Sequence, residues 1–272
     1  MVDEARLPSS HSLLQDPAFA RALRLCGQQP LHLPCGLMVL QRRIAGLRVV
    51  MLPRAAPPPD LMDQLAALGL RRCPVILSPE VPCPLPRCLR LARSRDIAVL
   101  PLAGSETERR HLLHPKWRNQ LKRAEAAGLT VTHGPLPPDP VGAVLARETL
   151  QARARGYANW PAPLTAAFAA AAPAQTHLFR ASHAGQPVAH MLFLTHGQTA
   201  TYHLGHTSAE GRSCCAHNLL LWQAGLHLGQ QGITHLHLGL LDRRTPGLDR
   251  FKLRSGAIRQ PTGGTHLLWH PF

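Results

Sequence analysis

Lysine is scarce in this sequence: three lysines stand against twenty-seven arginines in 272 residues. All three lie in two short blocks, residues 114–128 and residues 247–256. Arginine is a planar fork, whereas lysine is a compact point charge on a flexible stem, so the two are not interchangeable at a binding site. Chance is the alternative for so small a sample. The placement of the lysines directs the search for function to these two blocks.

Acidic residues and long apolar runs are also scarce. After residue 150 only Glu210, Asp242 and Asp249 carry negative charge, so we expect any carboxylate chemistry in that half to use one of them. No run of about 18 uncharged apolar residues occurs, which predicts that no helix spans a membrane. The N-terminus is acidic and has no apolar stretch behind it, which predicts the absence of a secretory signal and a cytoplasmic protein.

Motifs that hold metals are missing. The seven cysteines are an odd set without an export signal, which predicts free thiols in a reducing compartment. Cys83 and Cys88 have no second pair nearby that would complete a zinc set, and the seventeen histidines include no HExxH. His235 and His237 alternate along a predicted strand and would share one face, as a structural or a substrate-facing pair. The sequence therefore predicts no metal site.

The composition that remains is that of a basic globular protein. Apolar residues make up 45% of the chain, enough for a sizeable core, although aromatic residues contribute only 4%. The net charge is +15 and the pI is about 11.0. Such a surface attracts polyanions, namely nucleic acid, anionic headgroups or phosphorylated substrates. A diffuse excess of arginine without any localised patch is the alternative.

One order of elements occurs twice along the chain and predicts two related α/β units. The first half is predicted to be rich in strands with one clear helix. A hairpin, a loop, a helix, a glycine and a strand follow one another in both halves. The predicted elements are strands at 37–44, 47–52, 74–77 and 97–102, a helix at 60–68, helices at 141–155 and 163–172, strands at 176–182, 187–195 and 199–205, a loop at 208–213, a helix at 214–230 and a strand at 233–240.

The proline-rich segment 134–140 is the best candidate for a domain boundary. We therefore expect an N-terminal lobe over residues 1–136 and a C-terminal lobe over residues 137–272 that carries the site. The length suits two domains of ordinary size or one unit with a shared core.

The first block, residues 114–128, predicts a basic helix. Pro115 suits the first helical position and Gly128 the stop. Trp117 and residues four and seven positions later would pack inward. Like charges at i, i+4 destabilise an isolated helix, so an anionic partner is expected, with a solvated helix face as the alternative. The side chains predicted to hold phosphates are Lys116, Arg118, Lys122 and Arg123.

The second block follows a predicted buried strand that ends at Gly239. Charged residues gather just past this strand end, where open α/β sheets usually carry their sites. A lysine among many cations has a depressed pKa, which suits stabilising an oxyanion or moving a proton. An ordinary charged surface loop is the alternative. The cluster consists of Asp242, Asp249, Arg250, Lys252 and Arg254.

Residues 97–256 resemble the FemAB-type branch of the GNAT-like acyltransferases. The resemblance rests on the order of LHPKWRNQLKRAEAAGLTV, a meander ending in TYHLGHTSAEGRSCC, and GLDRFKLRSGA. That group includes the aminoacyl-tRNA-dependent transferases that build peptidoglycan cross-bridges. The resemblance implies two tandem GNAT-like lobes, mixed sheets flanked by helices, with a cleft between them. It also implies that Phe251 and Lys252 lie near the reactive end of the acyl donor and that Tyr202 precedes the donor-side loop.

One stretch departs from the pattern of acetyl-CoA-dependent GNAT enzymes. Those enzymes carry a glycine-rich turn whose backbone N–H groups hold pyrophosphate at a helix N-terminus. The equivalent stretch here runs from Arg212 to His217, and Cys215 stands where glycine is needed. The departure argues against an ordinary CoA cradle, which FemAB-type proteins also lack. The chain is also shorter than the cross-bridge enzymes and has no coiled-coil arm, which argues against cross-bridge building as the specific role.

Three functions stay open at this point. The first is transfer of an aminoacyl group from aminoacyl-tRNA to an amine; the second is N-acyl transfer from acyl-CoA or an acyl carrier protein; the third is polyanion binding without catalysis. No permanently bound cofactor is expected, and tRNA or another phosphorylated acyl carrier is the expected partner, with peripheral membrane contact as a further expectation. Lys252 is predicted to stabilise the oxyanion or the ester end of the donor. Proton removal or orientation of the amine is predicted for Asp242, Asp249 and His237. Substrate binding is predicted for the basic helix and for Tyr202, Phe251 and Arg254.

Overall fold

The structure is a computed structural model and describes residues 12–269. It contains two mixed β-sheets flanked by helices, which confirms the predicted α/β class with two GNAT-like lobes. The strands are β1 (Leu31–His32), β2 (Met38–Ile44), β3 (Leu47–Pro53), β4 (Val75–Ser78), β5 (Leu89–Ala92), β6 (Asp96–Pro101), β7 (Thr130–Gly134), β8 (Thr176–His183), β9 (Gln186–His196), β10 (Thr199–Thr207), β11 (His235–Leu240), β12 (Ile258–Pro261) and β13 (Thr265–Leu268).

The helices lie between these strands and cover their faces. The α-helices are α1 (Pro17–Leu25), α2 (Leu61–Ala67), α3 (Glu106–Leu112), α4 (Pro115–Glu125), α5 (Ala143–Arg155), α6 (Ala162–Ala171), α7 (Ala209–Ser213), α8 (Ala216–Gln230) and α9 (Pro246–Arg254). Among the described residues, no helix is both long enough and apolar enough to span a bilayer.

Each of the two sheets contains strands from distant parts of the chain. The first sheet has the order β1-β2-β3-β4-β13-β5, and the second has the order β12-β6-β11-β10-β9-β8-β7. Strand β13 therefore returns from the end of the chain to lie inside the first sheet, while β6 and β7 belong to the second. Both sheets contain residues from both sides of the expected boundary at 136–137, so that division into lobes stays a prediction.

Three apolar cores hold the sheets and helices together. One core lies under α4 and α8 on one face of the second sheet. Another joins α1, α5 and α6 to the opposite face, so that the N-terminal helix packs on the second sheet. The third lies between α2 and the first sheet. Burying such apolar surface contributes about 25 cal/mol per Å².

The basic helix α4 forms for the reasons that the sequence predicts. His114 caps it through a bond from the Lys116 N–H to Nδ1, Pro115 begins it, and Trp117 and Leu121 are buried on its inner face. The repeated order of hairpin, helix, glycine and strand is confirmed as well. Gly69 and Gly232 follow α2 and α8 with φ of 67° and 84°, values at which glycine avoids a steric penalty.

Several expectations about local structure are wrong. The described part of the first half contains α1 and α3 besides the helices predicted at 60–68 and in the block 114–128. These two helices were not predicted because they are short and begin at side-chain caps, from Asp16 and Ser105. The loop predicted at 208–213 is helix α7, capped by Ser208. The helix predicted from residue 214 begins only at Ala216, because Cys215 adopts a left-handed conformation. The second lysine block is helix α9, begun by Pro246.

Candidate active site

A gap between two parallel strands is the centre of the candidate site. Strands β10 and β11 are paired only at Thr199–Thr201 with His235–His237. Beyond this point β10 stays with β9 as far as Thr207, and β11 stays with β6 as far as Leu240. Both outer pairings shift register close to the point of separation, and such irregularities re-aim strands next to sites. Past these three pairs the described residues of β10 and β11 have no ladder between them. Some of their carbonyls bond side chains instead: Leu240 accepts from Lys252 Nζ and His203 from the Asn159 amide.

A cavity of about 250 Å³ lies at this gap, between the two sheets. The first sheet contributes Arg54 and Glu80, which follow the carboxyl ends of β3 and β4. The second contributes Tyr202, His237 and Gly239 from the separating strands. Other lining residues are Ser12, Leu13, Leu14, Ile97, Asn159, Trp160, His196, Thr201, His203 and Leu240. The cavity is the cleft between lobes that the resemblance implies.

Glu80 and His237 face each other inside the cleft. Glu80 Oε1 lies 3.8 Å from His237 Nδ1, which is too long for a direct hydrogen bond. The other carboxylate oxygen, Glu80 Oε2, is buried and has no hydrogen-bond partner in the described range 12–269. A nitrogen placed between the two side chains can hydrogen-bond to both, because both separations can then be about 2.9 Å.

Burial shifts the pKa values of both groups in the cleft, in opposite directions. Burial raises the pKa of Glu80, against the opposing influence of Arg54 and the Ser12 hydroxyl. Burial lowers the pKa of His237 to about 4, with His196, His235 and Arg54 acting in the same direction. His237 is therefore a neutral imidazole at pH 7, and Glu80 takes up a proton more readily than an ordinary carboxylate. Perturbed groups of this kind cluster at functional sites.

Lys252 lies directly behind the cleft rather than in it. Its side chain is buried, and Nζ donates a hydrogen bond to the Leu240 carbonyl at 2.8 Å. Nζ also stands 3.7 Å from where a Cβ on Gly239 would lie, and Gly239 has a φ of 83°. Burial lowers the pKa of Lys252, while Asp249 acts against the shift. The lysine thus places its charge against the end of β11, whose last two residues line the cleft.

The two aspartates near Lys252 hold the turn between β11 and α9. Asp242 pairs with Arg244 at 2.7 Å and with Arg95 at 3.3 Å. Hydrogen bonds from Arg244 lower the pKa of Asp242 well below its ordinary range. Asp249 Oδ1 accepts a bond from the Asp242 backbone N–H at 3.1 Å. Neither lines the cavity, and among the predicted proton acceptors only His237 does.

The predicted substrate-binding residues separate into two groups. Tyr202 lines the cleft, and burial raises the pKa of its phenol, which keeps the hydroxyl protonated. Phe251 packs between Trp117 and His217, away from the lining of the cleft. Arg254 is half-buried at the end of α9, where its carbonyl accepts a bond from the His114 N–H.

The basic helix α4 presents three of its four cations to solvent. Lys116, Lys122 and Arg123 are exposed. Arg118 instead donates to the carbonyls of His111 and Leu113 at 2.9 and 3.1 Å, at the end of α3. The charge of Arg123 reaches the Cys215 thiol, where it opposes the rise in pKa that burial causes. The solvent-facing side of α4 therefore adjoins the start of α8.

The start of α8 keeps the backbone shape of a glycine turn although it carries cysteine. Cys215 has φ of 55° and ψ of 34°, the left-handed region that glycine occupies without penalty. Arginines surround this end of the helix. His206 lies nearby, and its pKa is lowered by burial and then by Arg147, Arg155 and Arg212. The place where related enzymes hold pyrophosphate thus combines a helix N-terminus with several cations.

A second, larger cavity of about 540 Å³ adjoins the cleft and shares Asn159 and Trp160 with it. Its polar centre is Glu148, whose side chain is buried. Glu148 Oε1 accepts bonds from the Tyr157 hydroxyl at 3.0 Å and the Asn159 amide at 3.1 Å. A buried carboxylate in a cavity that the rings of Tyr157 and Trp160 also line suits an organic ammonium group.

Sequence reasoning missed the acidic residues of the site. The carboxylates that it named, Asp242 and Asp249, both lie in the second half, whereas Glu80 enters the cleft from the first sheet. The signal that could have found Glu80 is its place two residues after the strand β4, the same logic that singled out the segment after Gly239. Glu148 lies in the middle of α5 and carries no comparable signal.

Comparison with known proteins agrees with this geometry. The sequence profile of the acetyltransferase (GNAT) domain family matches residues 115–253. The crystal structure of FemX superposes with a TM-score of 0.74 at 11% identity, covering 97% of this chain and 93% of that one. L-PGS from Bacillus licheniformis superposes with a TM-score of 0.56 at 13% identity, covering 93% and 91%. No curated protein sequence matches significantly.

A third similar structure is a C-terminal domain (DUF2156) attributed to a lysylphosphatidylglycerol synthetase of Agrobacterium fabrum. Its TM-score is 0.57 at 13% identity, with 93% of this chain and 88% of that chain covered. At such identities the superpositions establish the fold, and the profile match over half of the chain establishes the family. The chain belongs to the GNAT acetyltransferase family, has the two-lobed FemAB-like fold, and is an acyltransferase.

Proposed function

We propose that this enzyme transfers an aminoacyl or acyl group from an ester or thioester donor to an amine. The observation that carries the proposal is the gap between β10 and β11, which opens onto Glu80 and His237. An extended acyl donor enters the gap and pairs with the backbone of the separating strands, and its carbonyl lies at the cleft. The amine enters between the two bases. Holding both reactants in this way converts a bimolecular reaction into a nearly unimolecular one.

The proposed reaction is a single acyl transfer. The amine nitrogen attacks the donor carbonyl, a C–N bond forms, and the C–O or C–S bond to the carrier breaks. Glu80 accepts the proton that the amine loses, while His237 accepts a hydrogen bond and orients the nitrogen. The Tyr202 hydroxyl, which stays protonated, supplies a proton to the departing oxygen or sulfur. Glu80 then loses its proton to solvent and the Tyr202 phenolate regains one from solvent, so both groups return to their starting forms.

Lys252 and the turn after β11 support this reaction from behind. The ammonium group holds the Leu240 carbonyl and adds positive charge next to the acyl carbonyl. That charge stabilises the oxyanion formed during attack. Asp242 and Asp249 fix the turn, so we assign them to positioning rather than to proton removal.

The donor's phosphates are assigned to the start of α8 and the exposed cations of α4. Arg123 and Arg212 flank the helix N-terminus at Cys215. Cys215 occupies the glycine position of an acetyl-CoA cradle, which favours aminoacyl-tRNA over acyl-CoA as co-substrate. The names FemX and lysylphosphatidylglycerol synthetase agree with a carrier-bound donor. A cytoplasmic location and contact with a membrane surface stay predictions.

The cavity around Glu148 is assigned to a cationic part of a substrate. A buried carboxylate stabilises an ammonium group far more than an exposed one, because the local dielectric constant is low. The ammonium of an aminoacyl group and a second amine on the acceptor both fit this chemistry.

The donor is tested by incubating the enzyme with a mixture of amines and either a full set of aminoacyl-tRNAs or acetyl-CoA. Mass spectrometry identifies any acylated amine. Product that appears only with aminoacyl-tRNA, and that ribonuclease abolishes, supports the first donor. Product formed with acetyl-CoA under ribonuclease supports the alternative. Absence of product with either donor contradicts the proposal.

The role of Glu80 is tested by Glu80→Gln, which keeps the size and removes the base. We expect kcat to fall by roughly 10²- to 10⁴-fold with little change in KM. Because the pKa of Glu80 is raised, wild-type activity should be lost, as the pH is lowered, at a pH above the pKa of an ordinary glutamate. This acid-side loss of activity should be absent from the pH profile of Glu80→Gln. Glu106→Gln, on the exposed face of α3, is the matched control. Equal activities of the two variants would contradict the assignment.

A further inference from the structure

Three histidines come together at the far side of the second sheet, away from the cleft. His133 lies on β7, His177 near the start of β8, and His227 in the last turn of α8. His133 is paired in register with Phe179, and His177 precedes Phe179 by two residues, so both imidazoles lie on the same face of the sheet. Helix α8 packs over that face and brings His227 onto the pair. The three side chains offer nitrogens that all lie within 4.8 Å of one another.

The spacing of the first two nitrogens is that of ligands on one metal ion. His133 Nε2 and His177 Nδ1 are 3.2 Å apart. Two nitrogens bound at about 2.0–2.1 Å to a tetrahedral Zn²⁺ are separated by about 3.3–3.4 Å. The two nitrogens therefore already stand at the separation of two ligands on one ion. The ring planes differ by 8°, so the rings must turn until both lone pairs point at a common ion, which then replaces the proton that they now share. The His227 ring is closest to His133, at 4.2 Å between centroids, and closes the third side.

The surroundings of the cluster also suit a metal. Phe179 contacts His133 and His227 and supplies an apolar wall. His177 is buried and His227 is half-buried, so two of the three rings are shielded from solvent. The Gln231 amide nitrogen donates to His227 Nε2 at 3.0 Å. Metal binding through His227 Nδ1 therefore requires the Gln231 amide to turn, so that its oxygen accepts the Nε2 proton and orients the ligating ring. His133 is exposed, which leaves a side open for water as a fourth ligand.

We propose that His133, His177 and His227 form a binding site for a divalent first-row transition metal such as Zn²⁺. Imidazoles suit Zn²⁺, Ni²⁺, Co²⁺ and Cu²⁺, whereas Mg²⁺ and Ca²⁺ require oxygen ligands. The site lies about 17 Å along α8 from the start of that helix, eleven residues at 1.5 Å each. Strand β7 is the exposed edge of the sheet, and the metal joins this edge to β8 and to the end of α8.

The proposal is tested on the full chain after treatment with a chelator. Titration with zinc chloride should show a site that His133→Asn and His227→Asn weaken more than about a hundredfold, since loss of even an outer contact costs about 10–100-fold. His111→Asn, an exposed histidine on α3, is the matched control and should bind as the wild type does. Zinc should raise the melting temperature of the wild type and of His111→Asn only, and magnesium should raise neither.

Cobalt distinguishes this site from one made by cysteines. Co²⁺ bound by imidazoles gives d–d absorption bands without the sulfur-to-metal charge-transfer band of a thiolate site. We expect d–d bands without the charge-transfer band in the wild type, and loss of the d–d bands in His133→Asn. Because His133 is exposed, its substitution should not misfold the protein, so misfolding does not explain such a loss. A charge-transfer band, equal zinc affinity in all variants, a comparable effect of magnesium, or no zinc binding by the wild type would each overturn the proposal.

Discussion

The two lobes differ in what happens at the ends of their parallel strands. In the first sheet β3 and β4 stay paired through Pro53 and Ser78, and the Arg54 N–H continues the pairing to the Ser78 carbonyl at 2.7 Å. In the second sheet β10 and β11 separate after three pairs. One order of elements therefore forms a closed edge in one lobe and an open gap in the other. The lobe whose strands stay paired contributes the side chains of Arg54 and Glu80 to the cleft. The lobe whose strands separate contributes the backbone that borders the gap.

The comparison also explains why both lobes are needed. Arg54 and Glu80 follow the closed pair and reach across to the gap in the other sheet. A GNAT-like lobe with a gap but without Glu80 would lack the stronger of the two bases in the cleft. Under the proposed mechanism, the second lobe would hold the donor and the first would supply the base that acts on the acceptor.

The largest expected effect tests whether the lobes unfold as one unit. Leu65 on α2 and Leu220 on α8 are both fully buried, one in each lobe. Truncating either to alanine should lower the free energy of unfolding by about 2–5 kcal/mol. Because β13 and α1 connect the lobes, we expect a single shifted transition in calorimetry for both variants. Two separate transitions would show that the lobes are independent.

Lys252→Ala should have the next largest effect, now on catalysis at the open gap. Loss of one charge-stabilising donor typically costs roughly 3–4 kcal/mol, about a hundred- to a thousandfold in kcat. We expect KM to change less, and Lys252→Arg to restore activity only in part, because a planar guanidinium cannot replace a point charge. Arg254→Ala is the control for general loss of positive charge. Similar small losses in both alanine variants would remove Lys252 from the mechanism.

Cys215→Gly should stabilise the protein by about 1 kcal/mol, because glycine relieves the left-handed backbone strain. Cys215→Ala keeps the strain and serves as the control. The glycine variant also restores the sequence of an acetyl-CoA cradle, so it sharpens the question of donor. Measurable binding of CoA by Cys215→Gly alone would identify cysteine as the feature that excludes CoA. Chemical denaturation gives the stability difference.

The smallest effect on stability is expected for Lys122→Gln combined with Arg123→Gln on α4. These exposed changes should alter the free energy of unfolding by less than about 0.5 kcal/mol. Binding of tRNA should weaken, and its dependence on salt should flatten by a slope of about 2 if each side chain neutralises one phosphate. If the variant binds tRNA with an unchanged salt slope, the exposed cations of α4 do not contact phosphates and the helix face is merely solvated.

Periodicity and breakers were enough to predict most of the elements and their repeated order. The hairpin of β2 and β3, helix α4 and strand β11 lie within one or two residues of their predicted bounds. Helix α9 was hidden because its apolar residues are few and charged residues dominate the segment. Helices α1 and α3 owe their ends to caps from Asp16 and Ser105, which are local contacts of single side chains.

The site was harder to predict than the fold because its members come from distant parts of the chain. His237 was found because it alternates with His235 along a predicted strand, and Tyr202 through the family resemblance. The place of Glu80 just past β4 was an available signal, but the sequence does not indicate that this end of β4 faces the other sheet. The histidine cluster was missed for the same reason, since only the pairing of β7 with β8 and the packing of α8 bring its rings together.

The position of strand β13 affects how the protein folds while it is synthesised on the ribosome. It lies between β4 and β5 in the first sheet, so that sheet cannot close until residues 265–268 have been synthesised. The stretch from β4 to β13 takes roughly 10–40 s to translate at about 5–20 residues per second. During this time the nascent chain exposes the unpaired edge of β4, a hazard for aggregation. The first lobe to be made is therefore the last to be finished, and a chaperone that shields nascent chains should raise the yield of active enzyme.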